Sequence, residues 1–298
     1  MLSTLLSVLI VGFVLLLFLA ALLIFRAMMY GRIPNEEAAV EVIAVEGPLV
    51  AEHLAAAIQV ETISDLDHDK INLSALDHFH TILERQYPRL HATLQREKVS
   101  GYSLLYTWPG RAQDLDPVAL LGHMDVVPVD PSTLAAWTHP PFSGVVADGM
   151  VWGRGTLDIK CTVITVMEAV ESLIKAGYQP ERTLYLGFGH DEEIGGLNGA
   201  RCIVELLQQR GIQLAAVLDE GGAIMENIVP GMQLPVALLG VTEKGHASFE
   251  LSVEGRAGHS SLPPRHTAIG VLARAIARLE ERPMPENTKM VEMMFGEL

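Results

Sequence analysis

Four stretches of this sequence place imidazole or carboxylate side chains directly after apolar runs. They are His123 and Asp125 in LLGHMDVVPVD, Asp158 in GRGTLDIK, His190, Asp191, Glu192 and Glu193 in GFGHDEE, and Asp219 and Glu220 in LDEGG. Anions crowded together repel one another and shift each other's proton affinity strongly unless a cation neutralises them. One or two divalent metal ions resolve that conflict. Imidazole and carboxylate donors without cysteine suit zinc, and manganese or cobalt fits the same set. In a His-x-Asp pair the aspartate can bond the imidazole nitrogen that faces away from the metal, which makes His123 the ligand and Asp125 its support. The adjacent Glu192 and Glu193 point different ways, so one can ligate while the other stays free as a general base. Gly195 and Gly196 beside them permit a tight turn and close approach of a substrate. Each pattern alone is common in solvated loops; their recurrence after successive apolar runs is what points to a metal centre. Cys161 reads as a small residue at a helix start rather than a nucleophile, since no Cys-His pairing accompanies it.

The elements between these stretches explain how they could meet. VALLGH, TLYLGFGH and LAAVLD have the apolar, β-rich character of strands, and CTVITVMEAVESLIKAG and GARCIVELLQQRG have helical periodicity and stop at Gly177 and Gly211. This alternation predicts an α/β domain, a largely parallel sheet with helices on both faces. In such a sheet, functional groups collect beyond the carboxyl ends of the strands. Upstream, LVAEHLAAAIQVETI and the run with Leu76, Phe79, Ile82 and Leu83 predict two further helices, and GYSLLYTWPG predicts a strand. Beyond Gly240 the pattern changes. HASFELSVEG alternates as a half-exposed strand does, with Phe249, Leu251 and Val253 on one face, and AIGVLARAIARLE follows as an amphipathic helix. The expected organisation is a transmembrane anchor at 1–30, the N-terminal part of a metal-dependent catalytic domain at 31–240, and the start of a smaller α+β lid or dimerisation domain at 241–298.

Bulk properties narrow the function. The chain has 298 residues, 49% of them hydrophobic and 19% charged, as a globular protein does. A formal net charge of -15 argues against a nucleic-acid partner, which needs clustered Lys and Arg. Cys161 and Cys202 match neither a zinc knuckle nor a disulfide framework. From Leu5 to Phe25 every residue except Ser7 is apolar or small, which meets the roughly 20 residues a membrane-spanning helix requires. No clear cleavage site follows, so an uncleaved single-pass anchor is expected. Arg26 and Arg32 favour a cytoplasmic domain, the acidic segment from Glu36 pulls the other way, and the side of the membrane stays open.

LLGHMDVVPVD, WTHPPFSGVVADGMVWGRGTLDIK, GFGHDEEIGG, LDEGG and GRAGHSSLPP stand in one order and at characteristic spacings across most of the chain from about Leu54 to Leu279. In these motifs the sequence resembles the di-zinc aminoacylase and carboxypeptidase family, especially its carboxypeptidase S-like branch, with a zinc-exopeptidase-like fold. The resemblance implies two zinc ions, His123 and Asp219 on one, Glu193 on the other and Asp158 bridging both. It implies Asp125 orienting His123, Glu192 as general base, and His259 in GHSS reaching the substrate carbonyl, in many dimeric members from the neighbouring subunit. The implied substrate is a small peptide or N-acyl amino acid, cleaved at the amide next to an amino acid, and a homodimer through the lid domain is a possible assembly. The family often carries a second aspartate and a glycine where this chain has Ile159 and Cys161; neither position is a ligand. The family's chain also returns from the small domain and supplies a final histidine to the second zinc, whereas this one ends at Leu298, which implies C-terminal truncation. The alternative expectation is a non-catalytic metal-binding or interaction remnant of the same scaffold.

Overall fold

The computed structural model describes residues 2–30, 44–227, 234–238, 240, 247–255, 258, 259, 261, 262, 264–283 and 285. Arg32, Glu36 and His246, which enter the sequence expectations, lie outside the described residues. The chain divides into two compact units, one of Glu41–Ala223 and one of Met1–Val40 with Ile224–Leu298.

The helix α1, Leu2–Tyr30, contains the stretch Leu9–Met28, whose mean hydropathy of 2.8 makes it long and apolar enough to cross a membrane. By length and composition it qualifies equally as a signal sequence.

The Glu41–Ala223 unit begins with helices α2 (Gly47–Ile58), α3 (Leu73–Gln86) and the short α4 (Pro88–Thr93). Strands β1 (Gln95–Val99) and β2 (Ser103–Trp108) form a hairpin whose turn needs Ser100 and Gly101 in the left-handed region, a tight-turn geometry that forces the two strands antiparallel. Strand β3 (Val118–His123), the small β4–β5 hairpin (Val145–Ala147 and Met150–Trp152), α5 (Cys161–Lys175), β6 (Leu184–Gly189), α6 (Ala200–Gln209) and β7 (Ala216–Leu218) follow. The main sheet has the order β1-β2-β6-β3-β7. Strands β6, β3 and β7 run parallel, while β2 meets β6 antiparallel. The sheet is therefore mixed rather than largely parallel: the hairpin adds its two strands to one side of the parallel core, and a hairpin can only add them in opposite directions.

Alternate side chains of β2 and β6 enter opposite layers, as the pleat requires. Leu104, Tyr106, Trp108, Leu186 and Phe188 pack with α3, α4 and α5 through Leu76, Phe79, Leu83, Leu90, Val163, Ile164 and Met167. Leu105, Ala119 and Tyr185 face the other way, onto Ile203 and Leu207 of α6. Helices thus cover both faces. Complete burial of Leu76, Phe79 and Leu83 at helical spacing explains why α3 forms against the sheet, each contributing about 1.5–3 kcal/mol. Near the strand ends the backbone approaches closely. A side chain on Gly153 would lie 2.3 Å from Ile58 of α2, and Gly155, with φ +84, would carry its Cβ 2.5 Å from Val126.

In the second unit β8 (Ala223–Met225) pairs with β9 (Val236–Leu238), and α7 (Ala268–Glu281) is capped by Thr267, whose hydroxyl oxygen accepts from the Gly270 N–H. The helix expected from AIGVLARAIARLE is there. The strand expected from HASFELSVEG is not: residues 247–255 form no strand, and Phe249 is 85% exposed. An alternating segment becomes a strand only when a neighbour takes up its main-chain groups.

Candidate metal centre

Parallel pairing brings three strand ends to one rim. His123 closes β3 opposite Gly189, the last residue of β6, and β7 runs on the other side of β3 with Leu218 opposite Leu120. Glu192 after β6 and Glu220 after β7 therefore come close to His123. Its Nε2 lies 3.2 Å from Asp158 Oδ1, 3.4 Å from Glu220 Oε2 and 3.6 Å from Glu192 Oε2. One donor atom each from His123, Asp158 and Glu220 lies within 4.8 Å of the others.

The imidazole is oriented from behind. His123 Nδ1 is 2.9 Å from the main-chain oxygen of Asp125 and 3.3 Å from its carboxylate. Donation from Nδ1–H to that carbonyl turns Nε2 toward the acids. The Asp125 carboxylate is buried and serves a second purpose: it accepts the Ser64 hydroxyl, the Glu192 N–H at 3.1 Å and the Glu193 N–H at 3.1 Å. One side chain thus joins the end of β3 to the loop that bears both glutamates. Burial alone would raise the Asp125 pKa, but the bonds from His123, Ser64 and Glu193 hold it below the usual carboxylate range.

The electrostatics of the cluster suit a cation. Burial disfavours a charged His123, yet the carboxylates of Asp125 and Glu220 outweigh it and push the imidazole up to about 11. Glu192 is raised above the ordinary carboxylate range, first by burial and then by the charges of Glu220, Asp125 and Asp158, with His123 opposing. Glu193 is raised by burial and by Asp158. Glu220 Oε2 is buried without a hydrogen-bond partner. One imidazole nitrogen, carboxylate oxygens and an unsatisfied buried oxygen form a donor set that a divalent ion such as zinc, manganese or cobalt fits.

Asp158 has extended backbone within the turn Thr156–Lys160 that leads into α5, with its side chain 70% exposed. Asp219 is exposed, and its Oδ1 accepts the main-chain N–H of Glu220 at 3.0 Å. The motif's position along the chain does not choose between these two adjacent acids, which lie past the end of β7. Glu220 is the residue that sequence reasoning placed on the rim without giving it the ligand's part. His190 and Asp191 turn inward instead: His190 Nδ1 meets the Ser103 hydroxyl at 2.6 Å, and Asp191 Oδ2 accepts the Asn198 N–H at 2.7 Å. Burial pushes the Cys161 thiol up, opposite to what a nucleophile needs. His259 belongs to the other unit, where its Nδ1 contacts the Ser261 hydroxyl at 2.8 Å.

The sequence profile of peptidase family M20/M25/M40 matches residues 119–297, more than half of the chain and the whole of the rim just described. The chain belongs to this family. Among relatives of this M20 chain, an N-fatty-acyl-amino acid synthase/hydrolase PM20D1 of Xenopus tropicalis is 42% identical over 264 residues, 88% of this chain and 49% of that protein. Carboxypeptidase S of Saccharomyces cerevisiae is 40% identical over 223 residues, 73% of this chain and 38% of that protein. A solved M20 metallo-carboxypeptidase from Sulfolobus solfataricus aligns over 60% of this chain and 38% of its own, with TM-score 0.47 and 20% identity. The M20 chain spans about half the length of the curated relatives it matches.

Proposed function

We propose that this protein is a metal-dependent hydrolase of the carboxypeptidase or aminoacylase type, acting on the amide bond of a small peptide or N-acyl amino acid. The observation that carries this is the meeting of His123, Asp158 and Glu220 beyond the ends of parallel strands in a chain of the M20 family. These three would hold one divalent ion, with Glu220 in the place that the motif resemblance gives to Asp219. Asp158 and Glu193, whose charges act on each other, would share a second. Zinc bound there would acidify a water molecule and polarise the scissile carbonyl.

The remaining work falls to the protein's own side chains. Glu192 stands 3.6 Å from His123 Nε2 and is not tied into the ligand group, so it would take the proton of the attacking water and hand it to the departing amine. Its raised proton affinity suits a group that must hold a proton between two steps. Asp125 keeps His123 and the Glu192 main chain in register. His259 would stabilise the developing oxyanion. The stretch Leu9–Met28 would tether the enzyme to a membrane. Replacing Glu192 by Gln removes the base without removing a donor from the His123 group. The variant should retain wild-type zinc content while its hydrolysis of N-acyl amino acids falls by about 100-fold or more; full activity with normal zinc would refute the assignment.

A further inference from the structure

Two residues past Asp158, Lys160 is fully buried, a rare position for a lysine. Its Nζ donates to the main-chain oxygens of Val60 at 2.7 Å and Ala57 at 3.0 Å, and it lies 5.1 Å from the centroid of the Phe79 ring. Ala57 and Val60 stand in the last turn of α2 and just beyond it, where the helix dipole is negative, and their carbonyls accept the Val60 N–H at 3.3 Å and the Thr62 N–H at 3.0 Å as well as the lysine. An apolar side chain of similar length would fill this space without the cost of desolvating an amine, so packing alone does not account for a lysine here.

The chain that receives Lys160 continues directly into the support of the other ligand. Ser64 N donates to Val126 O and Val126 N to Thr62 O, both at 3.0 Å, and the Thr62 hydroxyl donates to Met124 O at 2.6 Å. The Ser64 hydroxyl bonds Asp125. Residues 57–64 therefore grip the His123–Asp125 segment at one end and, through Lys160, the Asp158 segment at the other. The Asp158 side chain itself is 70% exposed, with its Oδ1 3.2 Å from His123 Nε2.

Resting on the metal-hydrolase reading above, we propose that Lys160 is a positioning residue for the metal centre: docked on the carbonyls of Ala57 and Val60, it sets where the Asp158 carboxylate stands relative to His123. Lys160→Met keeps the length of the stem and removes the donor. The full chain, its Lys160→Met variant and a Val170→Ala control are titrated with Co2+, reading the affinity and the visible absorption of the bound ion. Val170 is buried ten residues past Lys160 along α5, so its truncation lowers stability while leaving the Lys160 side chain and its acceptors in place. Lys160→Met should bind Co2+ about 10- to 100-fold more weakly, with an altered spectrum, as removal of an outer support does. Val170→Ala should match wild type in both.

Wild-type affinity and spectrum in Lys160→Met would overturn the proposal. If that variant folds only with trimethylamine N-oxide, the titration is run in the osmolyte on all the proteins, with Lys160→Gln beside it. A deficit persisting in the folded variants supports positioning, and full recovery on folding overturns it. Should the wild-type chain take up no Co2+, the hydrolase reading fails with it; equal uptake by wild type and variant sinks the positioning role alone.

Discussion

At the scale of single residues, the site depends on which atom of each acid faces His123. Asp125 accepts from Ser64, Glu192 and Glu193 and sits behind the imidazole, so it is a structural hub rather than a ligand. Glu220 brings a buried oxygen without a hydrogen-bond partner to the cluster. Zinc retention after dialysis should separate it from its neighbour Asp219. Glu220→Gln should weaken zinc binding by more than the roughly 100-fold expected for loss of an outer partner. Asp219→Asn should leave it near wild type. The reverse pattern, read by elemental analysis of folded protein, would return the ligand role to Asp219. The His-x-Asp spacing was enough to nominate His123 and Asp125, because a fixed two-residue offset determines how they can meet. LDEGG could not choose between adjacent acids, since that depends on a backbone rotation past the end of β7.

At the scale of elements, α3 carries a polar residue on its buried face. The His80 side chain is buried, with its Nδ1 3.9 Å from Asp77 Oδ1. Burial, aided by the Lys98 charge, pushes its pKa from 6.5 down to about 4. The unfolded chain therefore takes up a proton that the folded one refuses across that window. The stability this group allows is complete above pH 6.5 and declines as pH falls toward 4, by up to about 3 kcal/mol. Replacing His80 by Leu should flatten the dependence of the unfolding midpoint on pH between those limits; an unchanged slope would show that other groups set it. The helical spacing of Leu76, Phe79 and Leu83 made α3 readable in advance, because the same period that buries them also places His80 inward. The β1–β2 hairpin was less readable. QREKV has no apolar alternation, and β1 exists because the Ser100–Gly101 turn folds it back against β2.

At the scale of the whole molecule, a polar α/β unit is joined to a helix whose Leu9–Met28 stretch can cross a bilayer. If that stretch anchors the protein, the full chain should float with phosphatidylcholine vesicles at low and high salt, and a variant lacking residues 2–30 should remain in the soluble fraction. Recovery of the full chain in the soluble fraction, shortened by the mass of the helix, would identify a cleaved signal instead. What this sequence determined by itself is local and periodic. The apolar length of α1, the helical faces of α3, α5 and α6, the β3 and β6 strands and the acids that follow them all arise from side chains a few positions apart. What the tertiary structure decided is non-local: the mixed order of the sheet, the burial of Lys160 against α2, the inward turn of His190 and Asp191, and the approach of Glu220 to His123. These depend on which distant segment supplies a partner for each main-chain or charged group, and the spacing of residues along a chain does not contain that information.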